Sequence, residues 1–203
     1  IGPEAARDLA EKLDAAGHPL VDAPISGGPV RAGQGDLLIV VGAAGAPLDT
    51  ARPVLEHLSS TLTIVGPRPG DGQALKTINQ LLAGVHIAAA AEAVALSRGL
   101  GLDPAVMIAA LSQGAAGSFM FADRGPRMLD AYTGGAEVKS RVDIFVKDMG
   151  IVTSVGRASH VPLPLAAAAQ QLYLIAEAAG LGAHDDSSVV TILSPDTTKG
   201  ATS

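Results

Sequence analysis

Lys76, Asn79 and Gln80 lie in the stretch "GDGQALKTINQLLAGVHIAAAAEA", at spacings of three and four. On a helix these spacings put the three side chains on one face, where an ammonium group would stand beside two amides that can each donate and accept hydrogen bonds. A lysine in the first turns of an apolar helix opposes the helix dipole, which favours anions there. Something other than helix stability would account for it, although a surface lysine extending its stem along apolar neighbours fits the same pattern. Partial burial would lower its pKa from the ~10.4 of an exposed lysine towards neutrality and make it a usable proton acceptor or donor.

A second group is Ser26-Gly27-Gly28 in "VDAPISGGPVRAGQGDLLIVVG". It offers one hydroxyl and backbone amides that no Cβ shields, so a carboxylate could approach closely and accept several hydrogen bonds. A plain turn formed by Pro24, Gly27, Gly28 and Pro29 accounts for the same residues. Ser26 fits poorly as a nucleophile, because Pro24 stands where the GxSxG elbow needs its first glycine. A third group is "RVDIFVKDMG". There Val142, Phe145, Met149 and Val152 form an apolar stripe and leave Asp143 and Lys147 four residues apart on another face. That pair reads either as an exposed ion pair or as a cationic contact from Lys147 to a cofactor or substrate.

Other chemistries find less support. "GDGQALKT" has Leu75 where a Walker-type phosphate loop requires glycine, and no GxGxxG follows a strand and opens a helix. His18, His57, His86, His160 and His184 have no metal-ligand spacing, and the absence of cysteine removes disulfides and thiolate metal sites. A formal charge of -6 and 2% aromatic residues leave no basic stripe for phosphates and few rings for stacking bases, so nucleic acid is not an expected partner. The opening residues "IGPEAARDLAEK" lack the basic-then-apolar plan of a signal peptide. The most apolar run, "LLAGVHIAAAAEAVAL", is interrupted by His86 and Glu92 before the ~20 residues a membrane span needs. With a mean hydropathy of +0.34, the expectation is a cytoplasmic protein without a membrane partner, in which that run is a helix buried in protein.

The elements that must position these groups come in two styles. Residues 3–66 alternate: a helix over 3–16, a strand over 18–23, the glycine loop, a strand over 36–41, a helix over 47–60 and a strand over 62–65. Such alternation indicates an α/β sheet. After "GPRPGDG" helical periods take over, with helices expected over 73–99, 104–113, 118–129, 141–159, 165–179 and 186–193. Asp103 followed by Pro104 is a strong helix start, and Gly99 and Gly180 are suitable stops. The expected fold is therefore α/β followed by all-α, with a boundary near Gly70 separating residues 1–70 from a helical domain over 71–203. Three strands and an opening helix do not make a self-sufficient doubly wound sheet, so the first part reads as the end of a larger α/β domain. The 73–99 helix is apolar nearly all round, which predicts that a subunit interface covers part of it.

Taken together, "DAPISGG", "GDLLIVVG", "GDGQALKTINQ" and "FVKDMG" resemble, in order and spacing, the β-hydroxyacid dehydrogenase family over nearly the whole chain. "NQLLAGVHIAAAAEA", "DIFVKDMG", "VPLPLA" and "DDSSVVTIL" are similar to its L-threonate dehydrogenase branch. The resemblance implies a Rossmann-type domain ahead of a helical one, NAD or NADP as cofactor, a small hydroxy acid as substrate, and a homodimer or homotetramer formed through the helical domain. By position it makes Lys76 the catalytic lysine, Ser26, Gly27 and Gly28 the loop for the substrate carboxylate, and Lys147 a cofactor contact, with Asn79 and Gln80 towards the substrate. Most of the family carries asparagine four residues after that lysine. Gln80 stands there instead, which favours a longer, more hydroxylated acid over 3-hydroxyisobutyrate or tartronate semialdehyde. The nucleotide-binding front half of the family is not contained in the chain. A non-catalytic helical association module is the opposing expectation. Imine reduction is a further alternative, although relatives with that activity usually replace the lysine.

Overall fold

The computed structural model describes residues 1–195, which divide into two compact units: one of residues 1–80 with 154–161, the other of residues 81–153 with 162–195.

The first unit begins with α1 (Pro3–Ala15), whose Pro3 fixes φ in the first turn. Three strands follow: β1 (Ile25–Ser26), β2 (Leu38–Gly42) and β3 (Thr61–Gly66). β2 is central, antiparallel to β1 and parallel to β3, with Ile25 opposite Ile39 and Ile39 opposite Leu62. The parallel pair needs a crossover, supplied by α3 (Gly45–Leu58). Leu37, Ile39, Val41, Ala43 and Leu48 form the core, and Val21, Ala23, Leu55 and Leu62 pack against it.

Two sequence expectations fail here. The strand expected over 18–23 is not regular: only Asp22 pairs with β2, as an isolated bridge to Gly42, and the named strand begins at Ile25. Pro19 and Pro24 have no N–H to give a ladder, which breaks the run that its apolar residues suggest. The glycine stretch is also more than a turn. It contains the short helix α2 (Gly28–Gly33), started by Pro29 in its first turn.

The remaining elements are helical: α4 (Asp71–Gly99), α5 (Pro104–Ser112), α6 (Phe119–Thr133), α7 (Val142–Ala158), α8 (Pro164–Ala176) and α9 (Val190–Leu193). The Asp103 carboxylate accepts the Ala105 amide at 2.8 Å, the cap expected from the sequence. The helix expected over 165–179 ends at Ala176. The chain then widens into a π-type turn, Glu177–Leu181, where Gly180 takes φ +87°. The segment expected to be helical over 186–193 opens as a 3-10 turn, Asp186–Val189, before α9.

The core of the second unit joins Ile87, Ala91 and Val94 of α4 to Phe121 and Met128 of α6, to Val142, Phe145, Met149 and Val152 of α7, and to Tyr173 of α8. By length and composition α4 is enough to cross a membrane; 44% of its most apolar window is buried inside the protein.

Candidate active site

The Ser26-Gly27-Gly28 loop takes its shape from the backbone of the first unit. Ser26 ends β1 opposite Leu38, and the next two residues turn the chain into α2 with φ +139° at Gly27 and +66° at Gly28. Residues with a Cβ rarely adopt either conformation. A Cβ at Gly27 would also come within 3.0 Å of Arg31 Cβ, whereas one at Gly28 would meet nothing within 4 Å. The Gly28 backbone is thus open to a group arriving from outside. Arg31 ties α2 to the start of β2 by donating from Nε to Asp36 at 3.0 Å. The Ser60 hydroxyl, and after it the Arg31 guanidinium, hold the Asp36 carboxyl below its ordinary value.

The segment leading into β1 is joined to α4 through Asp22. Asp22 exchanges backbone hydrogen bonds with Gly42, accepting the Gly42 amide at 2.8 Å. Its carboxylate oxygen Oδ2 accepts the amides of Gly70 at 2.8 Å and Gln73 at 2.9 Å. The first turn of a helix leaves amides without intrahelical partners, and here a residue about fifty positions away satisfies them. The approach is close: a Cβ at Gly72 would lie 2.9 Å from Pro24 Cδ and 3.0 Å from the Asp22 carboxylate. Pro24 and Ser26 alternate with Asp22 along the extended run and share its face.

Along α4, Lys76 lies one turn beyond Gly72, and Asn79 and Gln80 lie one turn further. All three are half-buried, while Leu75 and Ile78 between them are exposed. Asn79 donates from its side-chain nitrogen to Gln80 Oε1 at 2.8 Å, so the two amides act as a connected pair. Ser26, Gly27, Gly28, Lys76, Asn79 and Gln80 therefore all fall in the first unit, whereas Lys147 falls in the second.

Lys147 is exposed on α7, and its ammonium lies 3.0 Å from the carboxylate of Asp148. The exposed ion pair between Asp143 and Lys147 considered from the sequence is replaced by two others. Asp143 instead receives the Arg141 Nε at 3.0 Å. The stripe of Val142, Phe145, Met149 and Val152 is buried as expected, at 0 to 4% exposure.

Two features had not been singled out from the sequence as site or core residues. One is Asp22, whose signal was an acidic residue inside the apolar run "LVDAP". The other is a buried ionic group in the second unit. There Arg124 donates from Nε to Asp186 Oδ1 at 3.0 Å and from Nη2 to Oδ2 at 2.9 Å, and Arg127 pairs with Asp185 and, at 3.0 Å, with Asp123. The arginines, three apart on α6, meet the adjacent aspartates of "DDSS", a long-range pairing that spacing does not disclose.

Comparison with known proteins places this architecture. Residues 70–193 match the family described as NAD-binding of NADP-dependent 3-hydroxyisobutyrate dehydrogenase. Residues 1–66 match the NAD binding domain of 6-phosphogluconate dehydrogenase. The chain is 40% identical over 198 residues to L-threonate dehydrogenase of Escherichia coli O6:H1, covering 98% of this chain and 65% of the relative. It is 41% identical to L-threonate dehydrogenase of Cupriavidus necator, covering 95% and 64%. A crystal structure of 3-hydroxyisobutyrate dehydrogenase from Salmonella typhimurium superposes with a TM-score of 0.86 at 40% identity, covering 95% of this chain and 66% of that one. The chain thus spans somewhat less than two thirds of the length of these curated relatives, and the cofactor of the matched families is NAD or NADP. With residues 1–66 and 70–193 matched in order and the fold shared, the chain belongs to the 3-hydroxyisobutyrate dehydrogenase-like family of β-hydroxyacid dehydrogenases.

Proposed function

We propose that this chain forms the substrate-handling part of an NAD(P)-dependent dehydrogenase that oxidises the CH-OH group of an L-threonate-like sugar acid. The carrying observation is that Gly72, in the first turn of α4, approaches Pro24 and Asp22 of the segment that leads into β1 so closely that a Cβ there would lie 2.9 Å and 3.0 Å from them. The face holding Lys76, Asn79 and Gln80 thereby begins on the same segment that leads to the Ser26-Gly27-Gly28 amides. In this reading the hydroxyl of Ser26 and the amides of Gly27 and Gly28 hold the substrate carboxylate. Asn79 and Gln80, already joined by a hydrogen bond, orient the hydroxyls of a polyhydroxylated chain. Lys76 takes the proton from the hydroxyl being oxidised. A bound nicotinamide would supply the acceptor for the hydride leaving the carbinol carbon. Lys147, an exposed cation on α7, suits a contact to that cofactor. The 203 residues contain no GxGxxG turn for the pyrophosphate, so they fit the nicotinamide end and not its main phosphate anchor.

Identity near 40% to L-threonate dehydrogenases supports the sugar acid over smaller hydroxy acids. The domain boundary near Gly70, the cytoplasmic setting and assembly through the helical part belong to the same proposal. To test it, the chain is joined behind the nucleotide-binding half of an L-threonate dehydrogenase, and NADH and NADPH formation are followed with L-threonate and 3-hydroxyisobutyrate. Turnover of L-threonate that falls by roughly 10²-fold in Lys76→Ala, with little change in cofactor KM, is expected. Near-wild-type kcat in that variant removes Lys76 from acid-base duty.

A further inference from the structure

Asp22 has no part in the chemistry above, yet it is a 5% exposed carboxylate joined to three separate parts of the first unit. Its backbone is bonded to Gly42 at the end of β2, and its Oδ2 takes the amides of Gly70 and Gln73. Burying a carboxylate is costly unless such donors satisfy it, and a cap supplied by a neighbouring residue would satisfy the same helix amides without burial. The nearest local carboxylate, Asp71, is turned back instead to the Arg68 amide ahead of the helix, at 3.1 Å. What the distant carboxylate adds is registration between two chain segments that are otherwise far apart in sequence.

We propose that Asp22 is a positioning residue that fixes the distance between the Ser26-Gly27-Gly28 loop and Lys76. The inference rests on the function proposed above. Ser26 lies four residues after Asp22 in one antiparallel register against β2, and Lys76 lies three residues after Gln73 on α4. The hydrogen bond from Gln73 to Asp22 thus closes a short path from one end of the bound acid to the other. The packing around it leaves no slack, because a Cβ at Gly72 would press on both Pro24 and Asp22, and one at Gly70 would press on the backbone oxygen of Pro3. Without the clasp, the first turn of α4 can shift or fray, and the lysine loses its fixed separation from the carboxylate loop. Displacements of about 1 Å are enough to cost on the order of 10²-fold in a positioned reaction.

The test compares wild type, Asp22→Ala and Asp22→Asn in this chain by amide hydrogen exchange and by NMR titration with L-threonate. In the wild type one dissociation constant should describe the shifts of the Ser26, Gly27 and Gly28 amides and of the Lys76 side chain. In Asp22→Ala, exchange at Gly70 and Gln73 should speed up by about tenfold or more, while Val41 in β2 keeps its protection. The threonate dissociation constant should weaken by about tenfold or more, with Lys76 no longer responding alongside the loop. Asp22→Asn, which keeps an acceptor oxygen, should restore most of both effects. A folded Asp22→Ala protein with a dissociation constant within about twofold of wild type would reduce Asp22 to a purely structural role. An Asp22→Asn variant as impaired as Asp22→Ala would overturn the hydrogen-bond argument. Should Asp22→Ala not fold, Asp22→Ser carries the same comparison. If threonate perturbs neither segment in wild type, the proposed function fails. The clasp is then judged by exchange alone, and unprotected Gly70 and Gln73 amides in wild type refute it.

Discussion

The hydroxyl of Tyr173 on α8 donates to the backbone oxygen of Gly84 on α4 at 2.9 Å, and the Tyr173 ring stacks on Phe145 of α7 with centroids 5.2 Å apart. One fully buried side chain thus links three helices of the second unit. Burial also raises its pKa well above the ordinary phenol value, so the hydroxyl keeps the proton it donates. Tyr173→Phe should retain the stack and cost about 1 kcal/mol of unfolding free energy, the usual net worth of such a bond, measured by urea denaturation. Gly84→Ala should cost more, about 1–3 kcal/mol, because the added Cβ collides with the Met149 sulfur on α7. Equal and negligible effects of the two substitutions would contradict this packing.

Acid should weaken the second unit through Asp185. Its burial alone would raise the carboxyl pKa. The Ser187 hydroxyl, the amides of Lys139 and Ser187, and the Arg127 guanidinium outweigh that and hold it below the ordinary 3.8. A folded-state pKa below the unfolded one contributes stability that is present above the ordinary value and is lost as pH falls through the folded value. Urea midpoints measured from pH 6 down to about 2 should therefore drop below roughly pH 4 in wild type. Asp185→Asn should begin about 1–3 kcal/mol less stable at neutral pH and show a shallower drop in the acid range. An unchanged acid slope in that variant would remove Asp185 as a source of the effect.

Assayed on its own, the 203-residue chain should show no measurable dehydrogenase activity with L-threonate and either nicotinamide cofactor. The glycine-rich turn that would hold the pyrophosphate is not among its residues, and that turn is the main anchor of a dinucleotide. Calorimetry should show correspondingly weak NAD(H) and NADP(H) binding. Tight binding together with turnover would mean that the remaining residues anchor the cofactor by another route.

The parts of this fold visible in sequence are those governed by local rules. The Asp103-Pro104 start, the stripe of Val142, Phe145, Met149 and Val152, and the change from alternating to helical periods at the "GPRPGDG" break each depend on neighbours within a few residues. At the candidate site, residue type alone points to Lys76 and the Ser26 glycine loop, which remain proposals. The construction around them was not legible, because the Asp22 carboxylate reaches Gly70 and Gln73 across 48 and 51 residues. The same limit hid the pairing of Arg124 and Arg127 with "DDSS". At 18–23 the apolar pattern misled, since Pro19 and Pro24 withhold ladder donors whatever their neighbours suggest.

The long helix carries the remaining prediction, that a second copy of the chain covers part of α4. The sequence suggested an all-round apolar surface, and the structure divides it. Ile87, Ala88, Ala90, Ala91 and Val94 are buried in their own unit, while Leu82 and Leu96 remain 49% and 63% exposed with Ala89 exposed between them. Leu82, Ala89 and Leu96 recur every seven residues, the period of a seam that another helix can fill, and the small alanine at its middle permits close approach. Light scattering or sedimentation at micromolar concentration should show at least a dimer. Ala89→Glu places a charge on this seam without entering the core, so it should shift the population towards monomer while leaving helical content unchanged. Ala90→Glu is the contrasting variant: Ala90 is 2% exposed, so a charge there should lower the unfolding midpoint of the chain itself. A wild type that stays monomeric at high concentration, or an Ala89→Glu variant that associates as strongly as wild type, would refute the seam as an interface.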